Sequence, residues 1–361
     1  MSAPSMFDPL AFRRGPPLKN RFMLAPMTNL QSGADGVLSD EEFHWLTRRA
    51  EGGFGMTMTC ASHVDVLGQG FEGQLGCFDD LHLEGLTRLA GAIRERGSRS
   101  CVQLHHAGMR SPAQIIRVRP VCPSENIKTG ARGLTLDEVR MLVESFVQAA
   151  ERADKAGFDG VEVHGAHGYL VCQFLSGEIN RREDEYGGSL ENRARFLWEI
   201  IEGIRERCRA DFQVGVRLSP ERFGMRLSEV LEVSQRLMDE GNIDYLDASL
   251  WDVFKEPEEP AHKGRSLLSY FLDLNRGDTR LGAAGKIETA AHVRQCLADG
   301  LDFVSLGRSA ILHHDFPHRC EADPQFTPVA LPVTPAHLAS EGLSPVFIQY
   351  MRGWKGFVAS E

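Results

Sequence analysis

The stretch Gly157-Phe158-Asp159-Gly160-Val161-Glu162-Val163-His164-Gly165-Ala166-His167-Gly168-Tyr169 decides the architecture. A glycine ends a helical pattern and an apolar residue follows. A short apolar strand, Val161–His164, then runs into a polar loop. The same phrase recurs. Gly53-Phe54-Gly55 precedes Met56–Cys60, Gly241-Asn242-Ile243-Asp244 precedes Tyr245, and Gly300-Leu301-Asp302 precedes Phe303. Each reads as a helix stopping on Gly, an apolar residue tucked beneath a barrel, and a strand.

Working outward, short apolar runs alternate with amphipathic stretches along most of the chain. The expected strands are Phe22–Ala25, Met56–Cys60, Ser100–Leu104, Val161–His164, Gln213–Leu218, Tyr245–Ala248, Leu281–Ala284 and Phe303–Leu306. Thr135–Ala156 reads as a helix, with Val139, Leu142, Val143, Phe146, Ala150 and Ala153 on one face. Thr135-Leu136-Asp137-Glu138 is a capping box, Ser39-Asp40-Glu41-Glu42 repeats that signature, and Ser189 caps a helix ending near Arg209. Nearly continuous apolar strands, each followed by a helix, predict an α/β fold: a single parallel (β/α)8 TIM barrel. A doubly wound sheet would place G-x-G-x-x-G after the first strand, where the chain has Pro26-Met27-Thr28-Asn29. Two long loops, Ala107–Gly133 after strand three and Asp252–Arg280 after strand six, are candidate lids on the face where such barrels carry their chemistry. The division expected is a barrel over 1–320 and a C-terminal tail over 321–361.

Composition narrows the function classes. The 361 residues carry 40 Lys and Arg against 50 Asp and Glu, a net charge of −10. Without a basic block, nucleic acid and anionic membranes are poor partners. No run of about 18 apolar residues occurs, and Met1–Gly15 lacks the apolar stretch of a signal peptide. None of the eight cysteines forms a C-x-x-C pair, and Cys101, Cys172 and Cys296 read as reduced core residues, which predicts a cytoplasmic protein.

In a barrel the chemically useful residues are polar ones at strand C-termini. These are Thr28, Cys60-Ala61, Gln103, the His164-to-Tyr169 group, Arg217, Gly285-Lys286 and Gly307-Arg308. His164 and His167 admit three readings: a metal-ligand pair, packed loop residues, or donors to a substrate oxygen beside Tyr169 as proton donor. A phenol of pKa about 10 is protonated at neutral pH and can protonate a transient carbanion. Gly285 and Gly307 let backbone approach an anion that Arg308 could pair, at the usual phosphate position of this fold; alternatively Arg308 is a solvated charge. Arg217, in an apolar strand, requires an anionic partner: a structural carboxylate or the ring of a cofactor, whose edge Gln103 would suit.

At this point the chain resembles the Old Yellow Enzyme family of flavin mononucleotide (FMN) oxidoreductases. The resemblance spans roughly residues 7–320. It rests on Ala25-Pro26-Met27-Thr28, Gln103-Leu104-x-His106-Ala107-Gly108, His164-x-x-His167-Gly168-Tyr169-Leu170 and Phe174-Leu175-Ser176, followed by Asp184-Glu185-Tyr186-Gly187-Gly188-Ser189-x-Glu191-Asn192-Arg193, Val216-Arg217 and Gly307-Arg308. The family implies that Ala25, Pro26, Met27, Thr28, Ala61, Gln103, Arg217, Gly285, Lys286, Gly307 and Arg308 contact FMN. Arg217 would lie near the N1/C2 edge of the ring, Thr28 near its C4 carbonyl, and Lys286 and Arg308 at the phosphate. His164 and His167 match the pair that binds a substrate carbonyl or nitro oxygen, and Tyr169 matches the proton donor.

The implied reaction is ping-pong. NADH or NADPH reduces FMN and leaves, and an activated alkene such as an enone then accepts a hydride at its β carbon while Tyr169 protonates the α carbon. One branch of the family has a C-terminal Tyr-x-Arg-Gly-Trp whose Arg enters a neighbouring subunit's site. Tyr350-Met351-Arg352-Gly353-Trp354 looks the same, which implies a homo-oligomer, a dimer or higher, with Arg352 contacting substrate. Thr28 and Leu30 stand where that branch often has Cys and Tyr, and Gly177 where Pro is common. The rival activities are a metal-dependent barrel lyase or hydrolase using His164 and His167, and a flavoprotein acting mainly on quinones or nitro compounds.

Overall fold

In the computed structural model, which describes residues 4–359, eight parallel strands close into a barrel in chain order. They are β1 (Phe22–Leu24), β2 (Met56–His63), β3 (Arg99–His105), β4 (Gly160–Gly165), β5 (Gln213–Leu218), β6 (Tyr245–Ser249), β7 (Arg280–Ala284) and β8 (Phe303–Leu306). The helices that return the chain are α1 (Asp40–Glu51), α2 (Leu83–Glu95), α3 (Leu136–Lys155), α4 (Leu190–Arg207), α5 (Leu227–Glu240), α6 (Leu267–Leu272), α7 (Ala290–Asp299) and α8 (Phe316–Ala322). The ends of the N-terminal stretch and of the tail, residues 1–3 and 360–361, lie outside the described residues.

The recurring Gly-to-strand phrase has a physical basis. Gly53, Gly157, Gly241 and Gly300 all have positive φ, from +64° to +118°, so each reverses a helix end into a strand without a Cβ penalty. The apolar residues that follow, Phe54, Phe158, Ile243 and Leu301, are buried. Three of these phrases end in aspartate, and each carboxylate accepts from the first amides of the strand one place back. Asp159 accepts from Ser100 N (2.8 Å), Asp244 from Val214 N (2.8 Å) and Asp302 from Leu281 N (2.9 Å). Asn20 differs: it accepts from Phe22 N of its own strand (3.2 Å) and reaches across by donating from Nδ2 to the Gly53 carbonyl (2.7 Å). The barrel's lower rim is thus stitched strand to strand by its own sequence repeat.

Helix ends follow the predicted caps with one exception. Thr135 and Glu138 cap α3 reciprocally, and Ser189 accepts from Asn192 N to start α4, which ends at Arg207. Ser39 caps α1, but Glu42 does not reach back. Its carboxylate turns inward and accepts from Asn29 Nδ2 (2.9 Å) and Ser32 Oγ (2.5 Å), fixing the loop after β1.

The barrel interior is layered. At the N-terminal end Met23, Met56, Met58, Cys101, Tyr245 and Phe303 pack together, and the Leu10–Leu18 bridge plugs them from below. Gly215 and Gly282 admit this layer, since a Cβ at either position would overlap the ring of Tyr245 or Phe303. Above lies a polar layer. Register sets Gln103 beside Glu162, and Arg217 beside both His164 and Asp247. His105, His164, Ser249 and Ala284 stand at the mouth, one step further along their strands.

The two long loops are partly ordered. The first carries a short helix, Ala113–Ile116, and a parallel ribbon, Val121–Cys122 with Arg132–Gly133; the second carries α6. The tail forms α9 (Pro335–Ser340) and α10 (Pro345–Arg352) and packs on α1, with the rings of Trp45 and Phe347 4.8 Å apart. All eight cysteines are free. No described helix is long and apolar enough to cross a membrane.

Candidate active site

A cavity of about 360 Å³ opens at the C-terminal mouth of the barrel. One wall is the turn after β1, Ala25, Pro26, Met27 and Thr28. Arg217, Ser249 and Ser305 reach it from below. Gly285, Lys286, Ile287 and Glu288 follow β7, and Gly307 and Arg308 follow β8. His167, Trp251 and three residues of the tail, Tyr350, Met351 and Trp354, complete the lining.

The strand-four group forms an aromatic cluster at one side. The ring of His164 lies 5.0 Å from His167 and 5.1 Å from Tyr169. His164 Nδ1 accepts from Ala166 N (3.3 Å), which leaves Nε2 to carry the proton. His167 adopts φ +60°, held by its amide donating to Ser219 Oγ (2.9 Å), and its Nε2 lies 2.7 Å from Ser249 Oγ. Burial, then the charges of Arg217 and Arg110, bring His167 down to about 3; burial and neighbouring His167 likewise depress His164. Both imidazoles are therefore neutral donors across the physiological range. Burial pushes the Tyr169 phenol up, so it keeps its proton. Arg110 covers the Tyr169 ring at 4.8 Å and donates to the His167 carbonyl.

Other expected residues fall into place differently. Gln103 and Ala61 are register partners on β3 and β2. Gln103 sits in the polar layer, donating from Nε2 to Glu162 Oε1 (2.7 Å). Arg217 has both kinds of neighbour: Nε lies 3.3 Å from Asp247 Oδ2, while the guanidinium also lines the cavity. Lys286 pairs with Asp252 (2.9 Å) and Arg308 with Glu288 (3.3 Å), each about half exposed. Such exposed pairs are weak enough for a bound anion to displace. The glycine at 285, which lines the cavity, also has a packing role. Its φ is +145°, and a Cβ would stand 2.7 Å from the Trp251–Asp252 backbone, so Gly285 lets the loop after β6 lie against the loop after β7. Arg352 is exposed at the end of α10.

Several participants carried no readable signal. His105, the unassigned position in the Gln103-to-Gly108 motif, packs edge-on to Tyr169 at 4.4 Å, whereas His106 points away and accepts from Gly108 N. Trp251, a bulky residue at φ +62°, stands 6.0 Å from His167; such a backbone marks a functional or strained position. Among the described residues, His/Cys/Asp/Glu groups close enough to share a metal are His313, His337 and Glu341, and His314, Asp315 and Glu341, neither involving His164 or His167.

The donor set fits FMN. Cations at one end of the cavity suit a phosphate. A buried guanidinium, and a Ser305 hydroxyl without a hydrogen-bond partner, suit the polar edge of a ring at the other. Comparison with known proteins agrees. Residues 5–325 match the model of the NADH:flavin oxidoreductase / NADH oxidase family. An NADPH dehydrogenase of Clostridium acetobutylicum is 37% identical over 308 residues, covering 81% of this chain and 88% of that one. The NADH oxidase of Thermoanaerobacter brockii is 32% identical over 84% of this chain, which spans only 49% of that longer protein. The structure of an old yellow enzyme homologue from Zymomonas mobilis superposes with a TM-score of 0.79 at 27% identity, covering 96% and 99% of the two chains. The chain belongs to the NADH:flavin oxidoreductase / NADH oxidase family, the Old Yellow Enzyme family, and is an FMN-dependent NAD(P)H oxidoreductase.

Proposed function

We propose that this enzyme reduces activated alkenes, with His164 and His167 binding the acceptor's oxygen and Tyr169 donating the proton. The observation that carries the reading is the cluster of two neutral imidazoles and one protonated phenol, of which His167 lines the cavity while His164 and Tyr169 pack beside it. FMN, when bound, supplies hydride transfer. The protein's residues do the rest. Ala25 to Thr28 and Ala61 would flank the cofactor, Gln103 and Arg217 face its pyrimidine end, and Gly285, Lys286, Gly307 and Arg308 hold its phosphate. Imidazole N–H groups aimed at an enone oxygen gain strength as negative charge develops there, which lowers the barrier rather than merely tightening binding. Tyr169 hands its O–H proton to the α carbon. Trp251, Tyr350 and Trp354 keep water from the reacting atoms.

A panel of acceptors under anaerobic conditions tests this. Protein bleached by NADH or NADPH should recover its flavin absorbance with one equivalent of a cyclic enone. Recovery with quinones or nitro compounds and with no enone would overturn the alkene assignment. We also propose a homodimer in which Arg352 serves the neighbouring copy's site. Sedimentation and acceptor KM of Arg352→Ala check it, and the idea fails if both match wild type.

A further inference from the structure

The polar layer beneath the cavity carries an unbalanced set of charges. Glu162, Arg217 and Asp247 are all within 5% of full burial. Asp247 Oδ2 faces Arg217 Nε at 3.3 Å. Glu162 Oε1 accepts from Gln103, but Glu162 Oε2 is buried with no hydrogen-bond partner. One guanidinium offsets one carboxylate. Two ionised carboxylates here would leave a net negative charge in a dry interior, an arrangement that costs several kcal/mol. The groups facing Glu162 add no second cation: β3 brings Cys101 and Gln103, β5 brings Arg217, and β6 brings Tyr245 and Asp247. Burial, then Asp247, accordingly push the Glu162 carboxyl up, against the pull of Arg217; burial pushes Asp247 up as well.

We infer that Glu162 is a proton-binding site coupled to reduction of the cofactor, acting through Arg217 and Gln103 as a positioning residue. The inference rests on the reading above that these two side chains face the ring. FMN, when bound, would receive two electrons and one proton with the hydride from NAD(P)H, which would add one negative charge to the cavity that Arg217 lines. An ionised Glu162 then repels that added charge, so it binds a second proton, taken from water as H⁺. The polar layer gains one positive charge as the ring gains one negative charge, and the site's total charge is unchanged.

Midpoint potentials read by spectroelectrochemistry over roughly pH 6 to 9 on FMN-loaded protein test this. Where Glu162 is ionised before reduction, wild type should take up one proton more than Glu162→Gln, which keeps the acceptor for Gln103. One extra proton is tenfold per pH unit, or about 30 mV for a two-electron couple, in the slope. Identical slopes would overturn the inference. With NADPH as reductant, whose hydride already carries the ring's proton, a pH-indicator dye in lightly buffered wild type should count one proton taken from solution where Glu162 is ionised, and no uptake at any pH would overturn the inference too. Arg217→Lys separates the two claims. If it shifts neither FMN affinity nor potential, the placement of Arg217 at the ring is wrong. If it shifts both while the slopes agree, only the role of Glu162 falls.

Discussion

His167 holds a backbone conformation that few side chains adopt, φ +60°, to bring its imidazole against Ser249 at the cavity wall. The sequence made His164, His167 and Tyr169 legible because they end a strand whose register follows from the apolar run. It hid Ser249 and Trp251, whose importance depends on where the loop after β6 folds. Ser249→Ala removes one hydrogen bond to the imidazole, worth about 1 kcal/mol. It should raise the acceptor KM about fivefold and leave reduction by NAD(P)H untouched, as steady-state and half-reaction kinetics would show. Burial also holds His63 and His313 near 4 and His106 and His167 near 3. The unfolded chain binds these protons from about pH 6.5 downward while the folded one does not. Their contribution to stability is complete above that pH and is lost as pH falls towards 4. Thermal melts should show the midpoint dropping through this window, and a midpoint that rises on acidification would contradict the assignment.

At the scale of elements, the Gly-to-strand phrase was readable because helix reversal needs positive φ at a fixed place. The capping box at Thr135 was readable because its partners are three residues apart. Glu42 copied that spacing, yet Asn29 and Ser32 compete for its carboxylate from another element, a contact invisible in local sequence. The aspartates of the phrase bind across strands for the same reason. Asp244 is fully buried and joins Arg14 (3.2 Å), Arg205 (2.6 Å) and Val214 N. Asp244→Ala leaves two guanidinium groups and an amide without their acceptor and should cost about 3–5 kcal/mol, read as a shift in denaturant midpoint at constant slope. Thr135→Ala, at an exposed helix start, should cost only about 1 kcal/mol.

The whole molecule joins a barrel with a tail that closes over its mouth. Phe347 seats the tail on Trp45, while Arg48 Nη2 donates to the Ser340 carbonyl (2.7 Å), and His314 N donates to Glu341 Oε2 (2.7 Å). These contacts deliver Tyr350, Met351 and Trp354 to the cavity of their own chain. The sequence offered the Tyr350-to-Trp354 motif but not the direction in which it folds, since α10 is short and its anchors, Phe347 on Trp45, Ser344 N on Gln31 Oε1 (3.3 Å) and buried Met351, meet residues distant in the chain. Phe347→Ala should loosen α9 and α10, speed limited proteolysis between 340 and 352, and raise acceptor KM while FMN content stays full. Unaltered cleavage would show that the tail is held elsewhere. The account as a whole requires Tyr169 to serve only the acceptor's half of the cycle, and anaerobic stopped-flow kinetics on FMN-loaded Tyr169→Phe measures this directly. Reduction of the flavin by NAD(P)H should proceed at the wild-type rate, and reoxidation by an enone should slow by about 10²-fold or more; equal loss in both half-reactions, or none in either, would contradict it.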